Sequence, residues 1–388
     1  MNVRPLRGRS DRARFIDFPW KIYRGDHNWV PPLKASVREL IDVDRHPFYD
    51  QGRAAEPELF LAWEGPDVVG RVAAIHNHTH NRVHDENVVF FGFFETIDRP
   101  DVVRALLTAV EKWAADRGAT AVRGPMNPST NYECGLLVEG FSQPPVLMMT
   151  YNPPSYSRLI EGAGYSKAKD LHAYISPVHG ASLSRLQRLA DRTRKRNPGL
   201  ETRGANLGDF AREVGLVQDI YNSAWEKNWG FVPMSDAEIK WMAKELKPLV
   251  QSDLLRFAVY DGEPVAFLLT IPDWNPVLAD LDGSPWRHPL RTIRHLIKSG
   301  PETMEGLRVI TLGVKADHRK RGIESILLGE GLEKSLEIGY LWCEYSWILE
   351  DNELTKRAVR LMDGELYKVY RIYEKQVQST GHRAQGRP

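Results

Sequence analysis

Residues 317–323 read Asp-His-Arg-Lys-Arg-Gly-Ile, and they hold the sharpest chemical signal in the chain. Apolar residues 310–314 before them suit a strand, and a helical pattern follows. Successive backbone amides at such a turn point outward and add to the positive end of the helix, an arrangement suited to a pyrophosphate. Arg319, Lys320 and Arg321 supply cationic charge beside it. A solvated basic turn is the competing reading of so short a motif.

Two other groups invite chemistry. His76, His78, His80 and His84 have the spacing of metal ligands on a strand. They sit where a strand runs into a polar loop, without partner carboxylates of clear geometry, so solvated or turn histidines are expected and no metal. Residues 274–306 exceed the usual loop length. They mix Trp274, Leu278, Leu281, Trp286, Leu290, Ile293, Leu296 and Ile297 with Arg287, Arg291, Arg294 and Lys298. From 290 to 298 the apolar and basic residues separate as on an amphipathic helix. Such a segment suits packing on its own domain, covering an acyl chain, or peripheral membrane contact through 286–298.

The elements that must position these residues follow from periodicity. In the C-terminal half, strand 200–203 precedes a helix at 210–227, where Val214, Val217, Ile220, Tyr221 and Ala224 recur at helical spacing. Ser235 looks like an N-cap for a helix reaching 249. Strands at 254–260 and 264–271 flank the tight turn Asp261-Gly262-Glu263. A strand at 307–314 leads into the basic turn and a long helix, where Leu328, Leu332 and Leu336 form a stripe that ends at Gly339. Strand 341–349, helix 351–362 and a tyrosine-rich strand at 366–374 complete this half.

The N-terminal half repeats the order more loosely. It has a strand at 2–5, a helix at 11–23, strands at 59–63, 68–75 and 88–95, a helix at 101–117 ending at Gly118, strand 121–124, helix 155–164 and strand 171–175. The boundaries expected are an N-terminal domain at 1–180, a basic helical linker at 181–199, a C-terminal domain at 200–376 and a flexible tail at 377–388.

This order and the turn at 319–323 resemble the GNAT acyltransferases, whose acyl-CoA loop reads Arg/Gln-x-x-Gly-x-Gly/Ala between a strand and a helix. Here it reads Arg319-Lys320-Arg321-Gly322-Ile323-Glu324, preceded by Leu312-Gly313-Val314. Glu324 departs from the small residue of the pattern, which puts CoA affinity in question. The chain further resembles a tandem-GNAT family of bacterial proteins, by FFGFFE at 90–95, GPMNPS at 124–129, NWGFVP at 228–233, SWILEDN at 346–352 and YRIYEK at 370–375. That family is similar to proposed bacterial ceramide synthases.

The resemblance implies an α/β fold (a mixed sheet) in two tandem GNAT-like domains, acyl-CoA as acyl donor, and transfer to a primary amine. Asn352 is implied near pantetheine. A sphingoid-type lipid amine with a long acyl chain, a small soluble amine with a short one, and a non-catalytic acyl-CoA-binding protein all stay open. The N-terminal half has neither glycine nor basic cluster after Glu95, so loss of CoA binding is expected there. Its loop, with Asn127 and Asn131, and residues Asn228, Trp229 and Phe231 are candidate substrate contacts.

Acyl transfer to an amine sets a further demand. An amine of pKa about 10.4 costs about 4.6 kcal/mol to neutralise at pH 7, so a base must take its proton. Glu344, mid-strand, is the first candidate base, with a structural ion pair as the alternative. In this family a tyrosine commonly protonates the departing thiolate, and Tyr373, Tyr370 and Tyr367 compete for that role. Backbone amides near 312–314 suit an oxyanion.

Composition limits the rest. The 388 residues are 42% hydrophobic and 27% charged with net charge +1, a globular profile with no bulk field for nucleic acid. Two cysteines, Cys134 and Cys343, fit a reducing compartment. The N-terminus lacks the apolar core of a signal peptide, and no run of about 20 apolar residues occurs. A cytoplasmic location, with or without contact to the inner membrane, is expected.

Overall fold

The computed structural model describes residues 1–225, 228–287, 289–297 and 300–377. Fifteen strands and thirteen α-helices run through them. In chain order the strands are β1 (Asn2–Pro5), β2 (Ala55–Glu64), β3 (Asp67–Asn77), β4 (Val88–Thr96), β5 (Ala121–Gly124), β6 (Met126–Asn127), β7 (Glu133–Cys134), β8 (Leu136–Glu139) and β9 (Ser166–Pro177). The series continues with β10 (Leu200–Gly204), β11 (Leu255–Tyr260), β12 (Glu263–Pro272), β13 (Gly306–Val314), β14 (Trp342–Leu349) and β15 (Glu365–Gln376).

The helices are α1 (Gly8–Asp17), α2 (Pro19–Ile22), α3 (Lys34–Leu40), α4 (His78–His84), α5 (Pro100–Ala115), α6 (Ser155–Gly162) and α7 (Gly180–Arg196). After them come α8 (Phe210–Trp225), α9 (Asp236–Leu246), α10 (Asn275–Leu281), α11 (Pro289–Ile297), α12 (Ile323–Ile338) and α13 (Glu353–Arg360). Among the described residues no helix is long and apolar enough to cross a membrane.

The chain forms two compact units. Unit 1 comprises Met1–Pro144, Met148–Asp170 and the residues from Tyr370 onward; unit 2 comprises Pro145–Leu147 and Leu171–Val369. Each is an α/β layer arrangement on a mixed sheet.

In unit 1, β1, β2, β3 and β4 pair antiparallel in that order, and β4 pairs parallel with β5 from Val88↔Ala121 to Phe90↔Arg123. The last residues of β15 add antiparallel to β5, Tyr373 opposite Gly124. A parallel pair needs a crossover, and α5 supplies it. Its apolar face, with Val103, Leu106, Leu107 and Val110 fully buried, lies in a core shared with Phe60, Val72 and Phe91.

Unit 2 repeats the plan. β10, β11, β12 and β13 pair antiparallel, β13 pairs parallel with β14, and β14 pairs antiparallel with β9. The β11–β12 turn has Asp261 at φ +50° and Gly262 at φ +86°, the left-handed pair that matches strand twist. The crossover helix α12 buries Ile323, Ile326, Leu327 and Leu332 against this sheet. Gly329 and Gly331 let Leu186 and Leu268 come close to it.

Four local expectations change. The helix expected at 11–23 is split, because Pro19 opens a separate turn as the first residue of α2. The stretch expected as strand and loop at 76–84 ends in helix α4, capped by Asn77, whose side chain accepts from the His80 amide. A helix, α3, stands at Lys34–Leu40 where none was expected. The long segment 274–306 adds an unexpected helix, α10, to the amphipathic helix expected at 290–298, which stands as α11, and it is anchored by Val277, Leu281 and Met304. Glu226 and Lys227, expected at the end of α8, lie outside the described residues.

Candidate active site

In unit 2 the parallel pairing of β13 with β14 runs from Gly306↔Trp342 to Val309↔Tyr345 and stops there. On the other edge of β13, Thr311 pairs with Leu269 and Val309 with Thr270, so Ile310 is an extra residue. A bulge of this kind bends its strand and strengthens the twist. β13 therefore turns away from β14 one residue after their last rung, and the two form a fork. Val309, Ile310, Thr311, Leu312 and Trp347, which follow or border that rung, are half-buried.

β13 leads directly to the start of α12. Lys320 is at φ +62° and Gly322, the N-cap, at φ +82°. Among the described residues the amides of Arg321, Gly322, Ile323 and Glu324 donate to no protein group, as expected for the first turn of a helix without a side-chain cap. Gly322 is required twice, for its positive φ and because a Cβ there would lie 2.7 Å from Thr193 Oγ1.

The three cations differ. Arg319 donates to the carbonyls of Ala224 at 2.5 Å and Val314 at 3.4 Å, fastening the loop. Arg321 lies over the Tyr260 ring at 4.9 Å. Lys320 is exposed and pairs with no described group. Glu324 stands in the first helical turn, where a carboxylate is favoured by the helix dipole. The amides, the left-handed turn and Lys320 together fit a diphosphate.

Below the fork lies a buried polar cluster. Arg308 and Glu344 are register partners on β13 and β14, 5% and 0% exposed. Arg308 donates to Ser346 Oγ at 2.9 Å, to the Ser346 carbonyl at 3.3 Å and to the Leu147 carbonyl at 2.6 Å. Asp273 accepts from the Leu147 amide at 2.9 Å and the Asn275 amide at 3.1 Å. Burial raises the Glu344 carboxyl to about 7, against the opposing pull of Arg308, Ser346 and Lys368. Among the described residues neither of its oxygens is within hydrogen-bond geometry of a partner. Burial also lowers Lys368 to about 8, opposed by Glu344 and Asp273, and raises the Asp273 carboxyl.

The remaining candidates are placed as follows. Gly313 faces the Trp225 ring, which a Cβ would meet at 2.4 Å. Asn352 caps α13, accepting from the Thr355 amide at 3.2 Å. The Asn228 carbonyl accepts from the Phe231 amide at 3.2 Å, and the buried Phe231 ring lies 5.6 Å from Tyr221; Trp229 between them is half-buried. Tyr370 and Tyr373 are buried residues of unit 1, and Tyr373 donates its phenol to Glu161 at 2.9 Å. Arg308, Ser346, Lys368 and Asp273 were missed by sequence reading. The available signal was a charge at position 308 inside an apolar run.

No family model matches the chain. Protein YghO of Escherichia coli (strain K12) is 34% identical over 385 residues, 97% of this chain and 95% of that protein. Bacterial ceramide synthase of Caulobacter vibrioides (strain NA1000 / CB15N) is 32% identical over 382 residues, 97% of each chain. Among solved structures, a tandem GNAT protein from the clavulanic acid biosynthesis pathway matches with a TM-score of 0.56 at 12% identity, covering 98% of this chain and 99% of that one.

The chain belongs to the family of Protein YghO and the bacterial ceramide synthase, and it has the tandem GNAT fold. The two GNAT-type units of this family member share the bulge but differ at the fork. In unit 1, Arg71 pairs with Glu95 and Ala73 with Gly92, which places the extra residue at 93–94, with Phe93 at φ +49°. That fork is closed by its own chain. Asn127 Oδ1 accepts from the Phe93 amide at 2.6 Å. A Cβ on Gly92 would fall 1.8 Å from the Met126 carbonyl oxygen. Asn131 donates its amide to Ser129 Oγ at 3.2 Å in the loop that follows.

The helix after β4 also offers no anion cradle. α5 starts with Pro100, and Arg99 before it is tied to Glu64 and Asp101 at 2.9 and 2.6 Å. Glu95 itself is half-buried, accepts from the Tyr23 and Tyr156 phenols at 2.9 and 3.0 Å, and is raised by desolvation to about 7. Among the described residues no cluster of His, Cys, Asp and Glu suits a metal. His76 pairs with Asn87 at 2.9 Å and His80 with Glu86 at 3.1 Å. His78 and His80 lie on helix α4, not at alternate positions of a strand.

Proposed function

We propose that this acyltransferase moves a long acyl chain from an acyl-CoA thioester to a primary amine of lipid type, in unit 2 alone. The observation that carries the reading is the bulge at Ile310. It opens the β13–β14 fork on the strand that leads to four successive amides at 321–324 with no protein acceptor among the described residues. The diphosphate would lie on those amides, with Lys320 beside it, and the thioester arm would enter between the strands.

The half-buried Val309, Ile310, Leu312 and Trp347 suit an aliphatic chain, since burying each methylene is worth about 0.8 kcal/mol. The relative named bacterial ceramide synthase supports a long-chain amine as acceptor. The closed fork and paired Arg99 of unit 1 support a single acyl-CoA site.

The reaction forms a C–N bond and breaks the C–S bond of the thioester. The amine must first lose a proton, and Glu344 is the proposed acceptor, raised close to neutrality by its burial. Arg308 holds Ser346 at the base of the fork and stands beside Glu344 as its register partner. Attack on the carbonyl carbon gives an oxyanion that an amide of β13 near Leu312–Val314 can stabilise. Collapse expels the thiolate, which takes up the second proton lost by the amine nitrogen, while Glu344 returns the first to solvent.

Turnover with acetyl-, octanoyl- and palmitoyl-CoA, each with a small soluble amine and a long-chain amino alcohol, tests the proposal. The palmitoyl-CoA and amino alcohol pair should give the highest kcat/KM. Preference for acetyl-CoA with the soluble amine would overturn the lipid assignment.

A further inference from the structure

Trp286 is 91% exposed and Leu290 82% exposed, more than any other large hydrophobic side chain among the described residues. Both belong to the segment between β12 and β13. Trp286 lies in a single 3-10 turn at Pro285–Arg287 and Leu290 in the first turn of α11. The segment is braced rather than loose. Trp274 packs against Val277, Leu281 and Met304 at its base. Arg291 donates to Asp280 Oδ1 at 3.0 Å, and the Thr292 hydroxyl donates to the Pro285 carbonyl at 2.8 Å.

An anchored helix start that leaves a tryptophan and a leucine in water lacks a partner. The charge of its stretch 285–300, which lies between the acids Asp280 and Asp282 at the end of α10 and Glu302, says which kind. From 285 to 300 the sequence has four Lys or Arg residues and no Asp or Glu, against a net charge of only +1 for the whole chain. Arg294 is exposed beside Leu290. His288 and Lys298 of this stretch lie outside the described residues and enter only through the sequence.

We infer that the 3-10 turn at Pro285–Arg287 and the start of α11 dock on an anionic lipid surface, with Trp286 and Leu290 entering the interface and the basic residues not paired to Asp280 meeting lipid phosphates. Tryptophan favours the headgroup level because its ring is apolar and its N–H polar. A short helix with one apolar and one basic side lies in the interface plane without spanning the bilayer. Neither feature depends on the acyl-transfer reading.

Flotation of the full chain with vesicles of phosphatidylcholine, with and without phosphatidylglycerol, tests the inference. The chain should float with the anionic vesicles only, and high salt should release it. Trp286→Ser and Leu290→Ser should each weaken binding roughly ten-fold. Arg294→Glu should weaken it roughly five-fold for each unit of charge removed. Thermal melting should be unchanged in all three variants, since the substituted side chains are exposed. Failure to float, or flotation of the Trp286→Ser/Leu290→Ser double variant at the wild-type level, overturns the inference. So does concentration-dependent self-association that the double variant abolishes, which would assign the surface to a second copy of the chain.

Discussion

Arg308 and Glu344 face each other across the parallel pair β13–β14, one rung below the point where the strands part. A buried cation and a buried carboxylate at that position tie the strength of the sheet to the protonation state of the proposed base. Two pH effects should therefore share one origin.

The first is stability. The Glu344 carboxyl is raised from 4.5 to about 7 by burial. A group raised in the fold binds its proton more tightly folded than unfolded. Its contribution is complete below about 4.5 and is lost as pH rises through 7. Thermal melts of Glu344→Gln should show a shallower decline over this window than wild type. Some slope should persist, because Glu95 is raised over the same range. Identical slopes would remove Glu344 from the account.

The second is activity. A carboxylate must be ionised to accept the amine proton, so kcat should rise through pH 7 in the wild type. Glu344→Gln should lower kcat by roughly 10²- to 10⁴-fold and erase that limb, with acyl-CoA affinity nearly unchanged. Stopped-flow detection of thiol release across pH measures both.

Arg308→Met removes the donor to Ser346 and Leu147 and leaves a buried carboxylate without its register partner. Stranding the Ser346 and Leu147 acceptors, with a nearby cation taken from the carboxylate, should destabilise by about 1–3 kcal/mol. Chemical denaturation should show that loss, and Arg308→Lys should recover part of it. Removing the partner of Glu344 should also shift the rising limb of the activity profile to higher pH.

At the anion cradle, Gly322→Val places a branched side chain at positive φ and against Thr193 Oγ1. Calorimetric titration with CoA should show at least about ten-fold weaker binding, since the amides at 321–324 can no longer hold their arrangement. Lys320→Ala should weaken binding less, by about the contribution of one charged hydrogen bond. Asn127→Ala in unit 1 should destabilise by about 1–3 kcal/mol, by stranding the Phe93 amide, without altering CoA affinity.

Much of the frame was legible in the sequence because it rests on local rules. The leucine stripe of α12, its glycine stop and the tight turn before β12 are each set by a few neighbouring residues. The N-cap at Ser235 is of the same kind, its hydroxyl accepting from the Glu238 amide at 3.2 Å. Pro19 and Asn77 carried readable signals for the break after α1 and the start of α4, and periodicity overrode them.

The fork was not legible. A bulge is a mismatch between two strands, and Ile310 is extra only relative to Leu269 and Thr270. Nothing in Ile310 itself announces this. The polar cluster was hidden for a similar reason. Arg308 gains its meaning from register partner Glu344 and from Ser346 and Leu147, which lie far from it in sequence. The closure of the unit 1 fork by Met126 and Asn127 likewise depends on a contact that composition cannot announce.

The most direct test of the central claim is release of CoA thiol from palmitoyl-CoA in the presence of a long-chain amino alcohol, with mass spectrometry of the product. The account predicts stoichiometric thiol and N-acyl amide, both abolished by Gly322→Val. Thiol release with free fatty acid as the sole acyl product, or amide formation undiminished in that variant, would contradict it.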